Sequence, residues 1–313
     1  MTVALITGAS GFLGAHVAAG ALARGFTVRA GVRASSDRSR LDRLAPGATV
    51  TRFDLDASSA EMTDALEGVD AVIHCAAYGV DYRQSDFAKA LALNVAGSMR
   101  LAVSTAARGC RLVHVGTSYE YGTEDGVLAE SRRLAPTGIY GVTKAAASLA
   151  MQDFSQRTKS PIAVVRPFSM YGPLEGSHKF VPLVMEASRT GRPVELSPGN
   201  QERDYLYVGD VVDACLTLAT SDIFPSGEIF NVCSGNSVTL RALATAAVEA
   251  AGGDISVLRW GAKPYRPAES MRVVGDASKL TSAIGWRATT LLAEGMKHTV
   301  TADISTSDRE SNE

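Results

Sequence analysis

The chain opens with a short apolar strand that runs directly into a glycine-rich turn and a helical pattern. Val3–Ile6 is the strand, and Thr7-Gly8-Ala9-Ser10-Gly11-Phe12-Leu13-Gly14 follows it. Glycines at this spacing allow a tight turn, close approach of the backbone to a pyrophosphate, and close packing of helix on strand. The helix N-terminus adds unpaired N–H groups for the phosphates. The feature therefore predicts a dinucleotide site, with binding residues Gly8, Ser10, Gly11, Phe12, Leu13 and Gly14.

Short apolar strands alternate with helical stretches through the first two-thirds of the chain. After the first strand, the predicted strands are Thr27–Val32, Thr49–Phe53, Ala71–Cys75, Leu112–Val115 and Ile162–Val165. The helical patterns between them include Phe12–Arg24, Phe87–Ala107 and Tyr140–Arg157. This alternation, with nearly continuous apolar strands, predicts an α/β fold whose doubly wound parallel sheet is covered by helices on both faces.

The rhythm of strands and helices breaks after Pro167, where proline and glycine become frequent. We therefore expect a dinucleotide-binding domain over residues 1–168, with returns to it at about 205–234. A smaller, interleaved substrate lobe is expected over residues 169–301. Residues 302–313 are rich in Ser, Thr, Asp and Glu and lack apolar periodicity, which predicts a disordered tail.

Charge and composition argue against several classes of partner. The net charge is −2 and the pI about 6.2, so no basic field indicates a nucleic-acid binder. The four cysteines form no C-x-x-C pair, so neither a disulfide framework nor a metal site is predicted. The chain shows neither a leader-like segment nor a run of about 18 apolar residues, which disfavours secretion and membrane spanning. A cytoplasmic location is expected.

The two helical stretches around residues 87–107 and 140–157 carry many Ala and Leu residues on more than one face. Burial in the core accounts for most of this apolar surface. The surplus predicts a helix-pairing interface between two copies of the chain, and hence a homodimer.

Tyr140 and Lys144 lie four positions apart at the start of a predicted helix. This spacing puts the phenol and the ammonium on one helical face. An ammonium beside a phenol is expected to lower the phenol pKa and so make the tyrosine usable as a general acid or base. The same spacing is also common on exposed helices, so its meaning depends on the rest of the site.

The end of the second strand bears on which dinucleotide is bound. An acid there would bind the adenosine ribose hydroxyls and favour NAD, but the strand runs through Val32 into Arg33. Arg33, with Ser35, Ser36 and Arg38 nearby, offers donors to a 2′-phosphate, so NADP(H) is favoured and NAD(H) remains an alternative. A solvated surface arginine is the competing interpretation for Arg33. Asp54 is a candidate acceptor for the adenine amine, or a plain turn residue.

The chain resembles the extended short-chain dehydrogenase/reductase family over roughly residues 3 to 300. The resemblance is carried by an ordered set of short motifs. Beyond the glycine turn and Tyr140/Lys144, these are His74-Cys75-Ala76-Ala77, Asn94, Val115-Gly116-Thr117-Ser118-Tyr119-Glu120-Tyr121-Gly122, Arg166-Pro167-Phe168-Ser169-Met170-Tyr171-Gly172-Pro173, Glu202-Arg203-Asp204-Tyr205-Leu206-Tyr207, Tyr265-Arg266-Pro267 and Asp276-Ala277-Ser278-Lys279.

The resemblance implies a catalytic set of Thr117, Tyr140 and Lys144. Thr117 would hydrogen-bond the reacting sugar oxygen, Tyr140 would transfer the proton, and Lys144 would hold the nicotinamide ribose. Further cofactor contacts are implied for Leu55, Ala76, Ala77, Asn94 and Phe168. Substrate contacts are implied for Ser118, Ser169, Lys179, Arg203 and Arg266.

The two arginines match the family's pyrophosphate-binding positions, a task that suits a planar fork of donors. An ion pair with Asp204 or Glu202 is the competing interpretation for Arg203. Arg266 and Lys179 have a competing interpretation as solvated loop residues.

The family carries out several reactions on nucleotide-diphosphate sugars. A 4,6-dehydratase needs an Asp-Glu pair directly after the hydroxyl residue, but this chain has Ser118 and Tyr119 there, with Glu120 one place late. Arg33 favours an NADPH-dependent reductase of a 4-keto-6-deoxyhexose, as does the stretch Ala76-Ala77-Tyr78-Gly79-Val80-Asp81-Tyr82. An NAD-dependent 4-epimerase is the alternative. A non-catalytic dinucleotide-sensing protein is a remote one, since such proteins typically lose the Tyr or the Lys.

Overall fold

The structure, a computed structural model, describes residues 1–81 and 83–310, and for residues 302–310 it describes the backbone only. Tyr82 and residues 311–313 lie outside the described part. Numbered in chain order, the strands are β1 (Val3–Thr7), β2 (Thr27–Val32), β3 (Thr49–Arg52), β4 (Ala71–His74), β5 (Arg111–Val115), β6 (Gly126–Leu128), β7 (Ile162–Pro167), β8 (Ser169–Tyr171), β9 (Val194–Leu196), β10 (Glu202–Arg203), β11 (Tyr205–Tyr207), β12 (Ile229–Val232), β13 (Val238–Thr239), β14 (Leu258–Trp260) and β15 (Arg272–Gly275).

The α-helices are α1 (Phe12–Ala23), α2 (Ser39–Leu44), α3 (Ser59–Ala65), α4 (Phe87–Ala90), α5 (Ser98–Arg108), α6 (Gly138–Thr158), α7 (Phe180–Thr190), α8 (Val208–Thr220), α9 (Leu240–Ala251), α10 (Ser278–Ile284) and α11 (Leu292–Glu310). A π-helical turn, Leu91–Gly97, joins α4 to α5. Short 3₁₀ turns cover Ser118–Glu120 and Ile255–Val257.

The central sheet confirms the predicted doubly wound α/β fold. Seven described strands lie in the order β12-β7-β5-β4-β1-β2-β3, and every neighbouring pair is parallel. The chain order reverses direction between β1 and β4. In sheets of this kind, ligands bind outside the carboxyl ends of the strands at that switch point.

Two apolar clusters cover the two faces of the sheet because its strands are buried on both sides. One cluster joins β1 and β2 to α1 and α8, and the other joins β4 and β5 to α3 and α5. A third cluster forms the second lobe, where α7, α9 and α11 pack around Val184, Leu243 and Met296. Three small sheets of described strands complete the architecture, β13-β10-β15-β6, β11-β8 and β14-β9.

The stretch predicted as one helix over Phe87–Ala107 is divided by the π-helical turn Leu91–Gly97. By length and composition alone, the span Phe87–Arg108 is apolar enough to cross a membrane: an 18-residue window within it has a mean hydropathy of 1.2, and 44% of that window is buried within the structure. It packs against α3 and α6, as the core helix of a globular domain does.

The final helix runs from Leu292 to Glu310, through most of the segment predicted as a disordered tail. Met296 is fully buried in the second lobe, and Leu292 and Val300 pack against the same cluster. Because these contacts nucleate the helix, its extension toward residue 310 needs no further nucleation. Disorder of residues 302–313 stays a prediction.

Candidate active site

The glycine turn after β1 leaves room for backbone only. Gly8 has φ +66, and a Cβ at this position would lie 2.7 Å from the Cα of Ala76. A Cβ on Gly14 would lie 2.2 Å from the carbonyl oxygen of Gly8. Gly11 caps α1 without a side-chain hydrogen bond, so the first N–H groups of the helix remain available to an anion. These residues fit the pyrophosphate of a dinucleotide, as the sequence predicts.

The residues predicted to bind the adenosine end of the cofactor lie at the ends of β2 and β3. Arg33 is exposed directly after β2, and Asp54 is half-buried after β3. Leu55 is buried, and its carbonyl accepts a hydrogen bond of 2.6 Å from Arg100. Sequence reasoning missed Arg40, which donates to the carbonyls of Ser10 (3.1 Å) and Leu174 (2.9 Å). Arg40 thus ties the glycine turn to the loop after β8.

The loop after β4 carries Ala76 and Ala77 along the floor of the cleft and is held there by Asn94. The Asn94 amide accepts from Tyr78 N at 2.7 Å and donates to Tyr78 O at 2.8 Å. It also donates to the Thr143 hydroxyl on α6 at 2.9 Å. Asn94 is 1% exposed and lies in the π-helical turn, so this turn positions the loop and α6. A direct contact with the cofactor stays a prediction.

Thr117 and Tyr140 come together from the end of β5 and the first turns of α6. Thr117 begins the 3₁₀ turn after β5, and its hydroxyl lies close enough to the phenol of Tyr140 to lower the pKa of that phenol. Gly141 permits this approach, since a Cβ there would lie 2.8 Å from the carbonyl oxygen of Tyr119. Ser118 is half-buried beside them. Lys144 follows one turn later on α6 and is 1% exposed. The three residues of the predicted catalytic set therefore share one site.

The pKa of Tyr140 moves in the direction opposite to the one predicted from its spacing to Lys144. Burial raises this pKa, and the nearby Glu120 and Tyr119 raise it further, although the neighbouring hydroxyl of Thr117 lowers it. The ammonium of Lys144 turns instead to His114, with 3.1 Å between Nζ and Nε2. Burial lowers the pKa of Lys144 to about 8. The prediction that Lys144 lowers the phenol pKa is therefore wrong for this structure, and Tyr140 is protonated at neutral pH.

Glu120 turns away from the cleft and into the core. It is fully buried and receives hydrogen bonds from Arg166 Nε at 2.7 Å, Ser148 Oγ at 2.8 Å and Thr117 N at 3.1 Å. A carboxylate with these partners holds the 3₁₀ turn against β7 and α6. The carboxylate of Glu120, one place after the dehydratase pair, therefore points into the core and not into the cleft.

The opening toward the second lobe is bordered by Ser169 and by residues that sequence reasoning missed. Ser169 and Tyr205 are register partners where β8 and β11 pair, and Phe168 is buried just before Ser169. Glu175 faces Tyr205 and Lys179 from the loop after β8. Among the described residues, Oε2 of Glu175 is buried without a hydrogen-bond partner, and burial raises its pKa to about 8. The sequence carries no signal of this burial.

The two predicted pyrophosphate arginines differ in burial and in their contacts. Arg203 is mostly buried, forms an ion pair with Glu269 and donates to the carbonyl of Glu202 at 2.8 Å. Arg266 is exposed on the loop that carries Glu269. Neither Asp204 nor the Glu202 carboxylate pairs with Arg203: Asp204 accepts from Ser234, Gly235 and Gly275, and the Glu202 carboxylate pairs with Arg272. Sequence reasoning therefore missed Glu269.

Comparison with known proteins places this site in a family. Residues 4–233 match the model of the NAD dependent epimerase/dehydratase family, which is most of the chain. The chain belongs to that family. Within the described residues, no group of three or more His, Cys, Asp and Glu side chains is arranged to hold a metal ion.

Similar proteins cover almost the whole chain. The dTDP-glucose 4,6-dehydratase of Xanthomonas campestris is 27% identical over 96% of this chain and 92% of its own length. The structure of MoeE5 with UDP-glucuronic acid and NAD has a TM-score of 0.83 at 28% identity, covering 98% and 100% of the two chains. UDP-glucose 4-epimerase of Thermotoga maritima has a TM-score of 0.85 at 25% identity over 100% of both chains. The chain is thus an enzyme of a nicotinamide-dinucleotide-dependent family whose members act on nucleotide sugars.

Proposed function

We propose that this protein reduces the C4 ketone of a nucleotide-activated 4-keto-6-deoxyhexose with NADPH. The observation that carries the proposal is the arrangement of Thr117, Tyr140 and Lys144, which the end of β5 and the first turns of α6 bring into one site, with Tyr140 in its protonated form. A phenol that keeps its proton at neutral pH is suited to donate it to a ketone oxygen, as reduction requires.

Each residue of the site has a role in this reaction. When bound, the reduced nicotinamide supplies a hydride to C4 of the sugar. Tyr140 donates its proton to the C4 oxygen, and the Thr117 hydroxyl hydrogen-bonds the same oxygen. Lys144 holds the nicotinamide ribose. Charge developing on the sugar oxygen is stabilised by donors that are already in place, because both side chains extend from fixed elements.

The preference for NADPH is argued from the carboxyl end of β2. Arg33 is exposed there, and the residues before and after it, Val32 and Ala34, carry no charge. A guanidinium at this point offers hydrogen bonds to a 2′-phosphate, whereas a carboxylate would bind the ribose hydroxyls of NAD. NAD binding by similar proteins such as MoeE5 leaves NAD(H) as the alternative cofactor.

Dehydration is disfavoured, although several similar proteins are 4,6-dehydratases. The Asp-Glu pair of those enzymes would fall at Ser118 and Tyr119 in this chain. The next residue, Glu120, is engaged by Arg166 and Ser148 in the core. No carboxylate is therefore aimed at C5 or C6 of the sugar from this turn.

A 4-epimerase is the second candidate. It is favoured by the similarity to the Thermotoga maritima UDP-glucose 4-epimerase over the full length of both chains. An epimerase uses the same Thr, Tyr and Lys set, but it oxidises and re-reduces one carbon and has no net consumption of cofactor.

The proposed partners are a nucleotide-diphosphate sugar and a second copy of the chain. Arg203 and Arg266 are proposed to bind the diphosphate, for which Arg203 would exchange its pairing with Glu269. Large apolar side chains are exposed on the two helical stretches predicted to pair between copies: Phe87 47%, Leu91 41%, Val103 48% and Leu149 50%. Contact with a second chain would remove this apolar surface from water.

The test is turnover with a panel of nucleotide 4-keto-6-deoxyhexoses that differ in the nucleotide, with NADPH and NADH compared. We expect stoichiometric oxidation of NADPH, faster than of NADH, and deuterium at C4 of the product when the cofactor is labelled. Interconversion of a UDP-hexose pair without net consumption of NADPH would favour the epimerase instead.

Tyr140→Phe should abolish turnover and leave cofactor affinity nearly unchanged, because it removes only the proton donor. Activity that survives this change would contradict the proton-transfer role.

A further inference from the structure

A buried imidazole lies behind the Tyr140–Lys144 face of α6. His114, on β5, is fully buried, and its Nε2 lies 3.1 Å from Lys144 Nζ. Because Lys144 is itself 1% exposed, its ammonium has little access to water. A buried ammonium needs protein acceptors to remain charged. The imidazole of His114 is an acceptor in direct contact.

The protonation state of His114 follows from its surroundings. Burial lowers its pKa well below the usual value, and the nearby Lys144 and His74 lower it further. The ring is therefore neutral at physiological pH. An ammonium has only donors, so the nitrogen facing it, Nε2, must be the acceptor, and the proton resides on Nδ1. Within the described part of the chain, Nδ1 has no hydrogen-bond partner. The Nδ1–H group is thus an unpaired buried donor, which costs free energy. The hydrogen bond that the structure shows for this ring is the one at Nε2, to Lys144.

The other groups around Lys144 do not replace this contact. His74 lies beside His114, with 5.0 Å between ring centroids, but its nitrogens are used by Thr7 (2.6 Å) and Ser98 (2.9 Å). Glu120 and Cys75 favour the charged form of Lys144 electrostatically. The hydrogen bonds of Glu120 go to Arg166, Ser148 and Thr117. Tyr140, one turn earlier on α6, is protonated and carries no charge.

We propose that His114 is a positioning residue for Lys144, whose ammonium it holds in place and in the charged form by accepting a hydrogen bond at Nε2. The inference rests on the proposed role of Lys144 at the nicotinamide ribose and not on which sugar is reduced. It applies equally to a reductase and to an epimerase. His114 acts through Lys144 and touches neither sugar nor cofactor in this proposal.

The test compares two substitutions that differ in the acceptor. His114→Leu removes it, and His114→Gln places an amide oxygen near the position of Nε2. The affinity for the reduced cofactor is measured by fluorescence from roughly pH 6 to 9.5, without any sugar. In the unmodified protein, affinity should fall as pH rises through about 8, where Lys144 loses its proton. In His114→Leu the decrease in cofactor affinity should occur about one pH unit lower, because the charged form of Lys144 has lost its hydrogen-bond acceptor.

In His114→Gln the decrease in cofactor affinity should stay near its original pH. His74→Gln is the control, because it leaves the contact between His114 and Lys144 intact. His114→Thr, whose hydroxyl is too short to reach Nζ, replaces the leucine variant if that one does not fold. Identical pH profiles in the acceptor-free and glutamine variants would overturn the proposal, as would a weaker affinity at every pH with no shift. Because no sugar is used, failure of the reductase assignment would leave these results interpretable.

Discussion

At the carboxyl end of β2, a single side chain bears on the choice of cofactor. Arg33 is exposed where a carboxylate would bind the ribose of NAD. Arg33→Asp should lower the preference for NADPH over NADH by about tenfold or more, because it removes a charge-assisted contact and adds repulsion to the 2′-phosphate. The measurement is kcat/KM with each cofactor. Arg157→Asp, the same charge change on the exposed end of α6, is the control and should leave the ratio unchanged. An unchanged ratio in the Arg33 variant would remove the argument for NADP(H).

Glu175 shows how burial of one carboxyl links stability to pH. Its pKa is raised to about 8 in the folded protein, so it stays protonated there while the unfolded chain loses the proton at a lower pH. The unfolded state is therefore favoured as pH rises from about 4.5 to about 8. Glu175→Gln removes this penalty and should raise the free energy of unfolding at pH 8.5 by about 1–3 kcal/mol, with little change at pH 5. Urea denaturation at the two pH values measures it.

The matched control for this prediction is Glu195→Gln, because Glu195 is exposed on β9. The control should show the same small effect at both pH values. An equal response of the two variants would mean that Glu175 is not buried in solution.

At the scale of elements, the buried pair of Glu120 and Arg166 joins the 3₁₀ turn of Thr117 to β7. Nε and Oε2 are 2.7 Å apart, and the side chains are 2% and 0% exposed. Arg166→Met leaves an unpaired buried carboxylate and should cost about 3–5 kcal/mol of stability in urea denaturation. Arg189→Met breaks an exposed pair with Glu186 and should cost less than about 1 kcal/mol. Similar losses of stability in Arg166→Met and Arg189→Met would show that the Glu120–Arg166 pair is hydrated.

The π-helical turn is an element that the sequence pattern did not predict. Leu91–Gly97 continues the apolar periodicity of the helices on either side, so the pattern indicates one uninterrupted helix. The wider turn is associated with tertiary contacts, chiefly those of Asn94 with Tyr78 and Thr143, and with Gly97, where a Cβ would lie 2.4 Å from Leu55 O. Such contacts cannot be read from a local hydrophobic pattern.

At the scale of the whole molecule, the proposed dimer can be tested by its apolar surface. Val103 and Leu149 are about half exposed, 48% and 50%, on α5 and α6. Val103→Lys combined with Leu149→Lys should convert a dimer into monomers in sedimentation equilibrium, because buried unpaired charges oppose association. Ile223→Lys, at a side chain that is 86% exposed elsewhere, is the control and should not change the mass. A monomeric unmodified protein at micromolar concentration would contradict the proposal.

Local patterns in the chain were enough to predict the sheet, the glycine turn after β1 and the shared helical face of Tyr140 and Lys144. Each depends on residues close in sequence, whose periodicity and backbone limits act without the rest of the fold. The absence of an acidic residue directly after β2, and the position of Glu120 one residue after the dehydratase pair, can be read from the sequence because they too depend on neighbouring residues.

The electrostatic state of the site required the tertiary structure. His114 contacts Lys144 across 30 positions of sequence, Glu269 contacts Arg203 across 66, and Glu175 is buried on the loop after β8. Burial and partners set these pKa directions, and both come from residues that are distant in the chain. For this reason the sequence predicted Tyr140 as the proton carrier, whereas the contact of Lys144 with His114 is visible only in the folded protein.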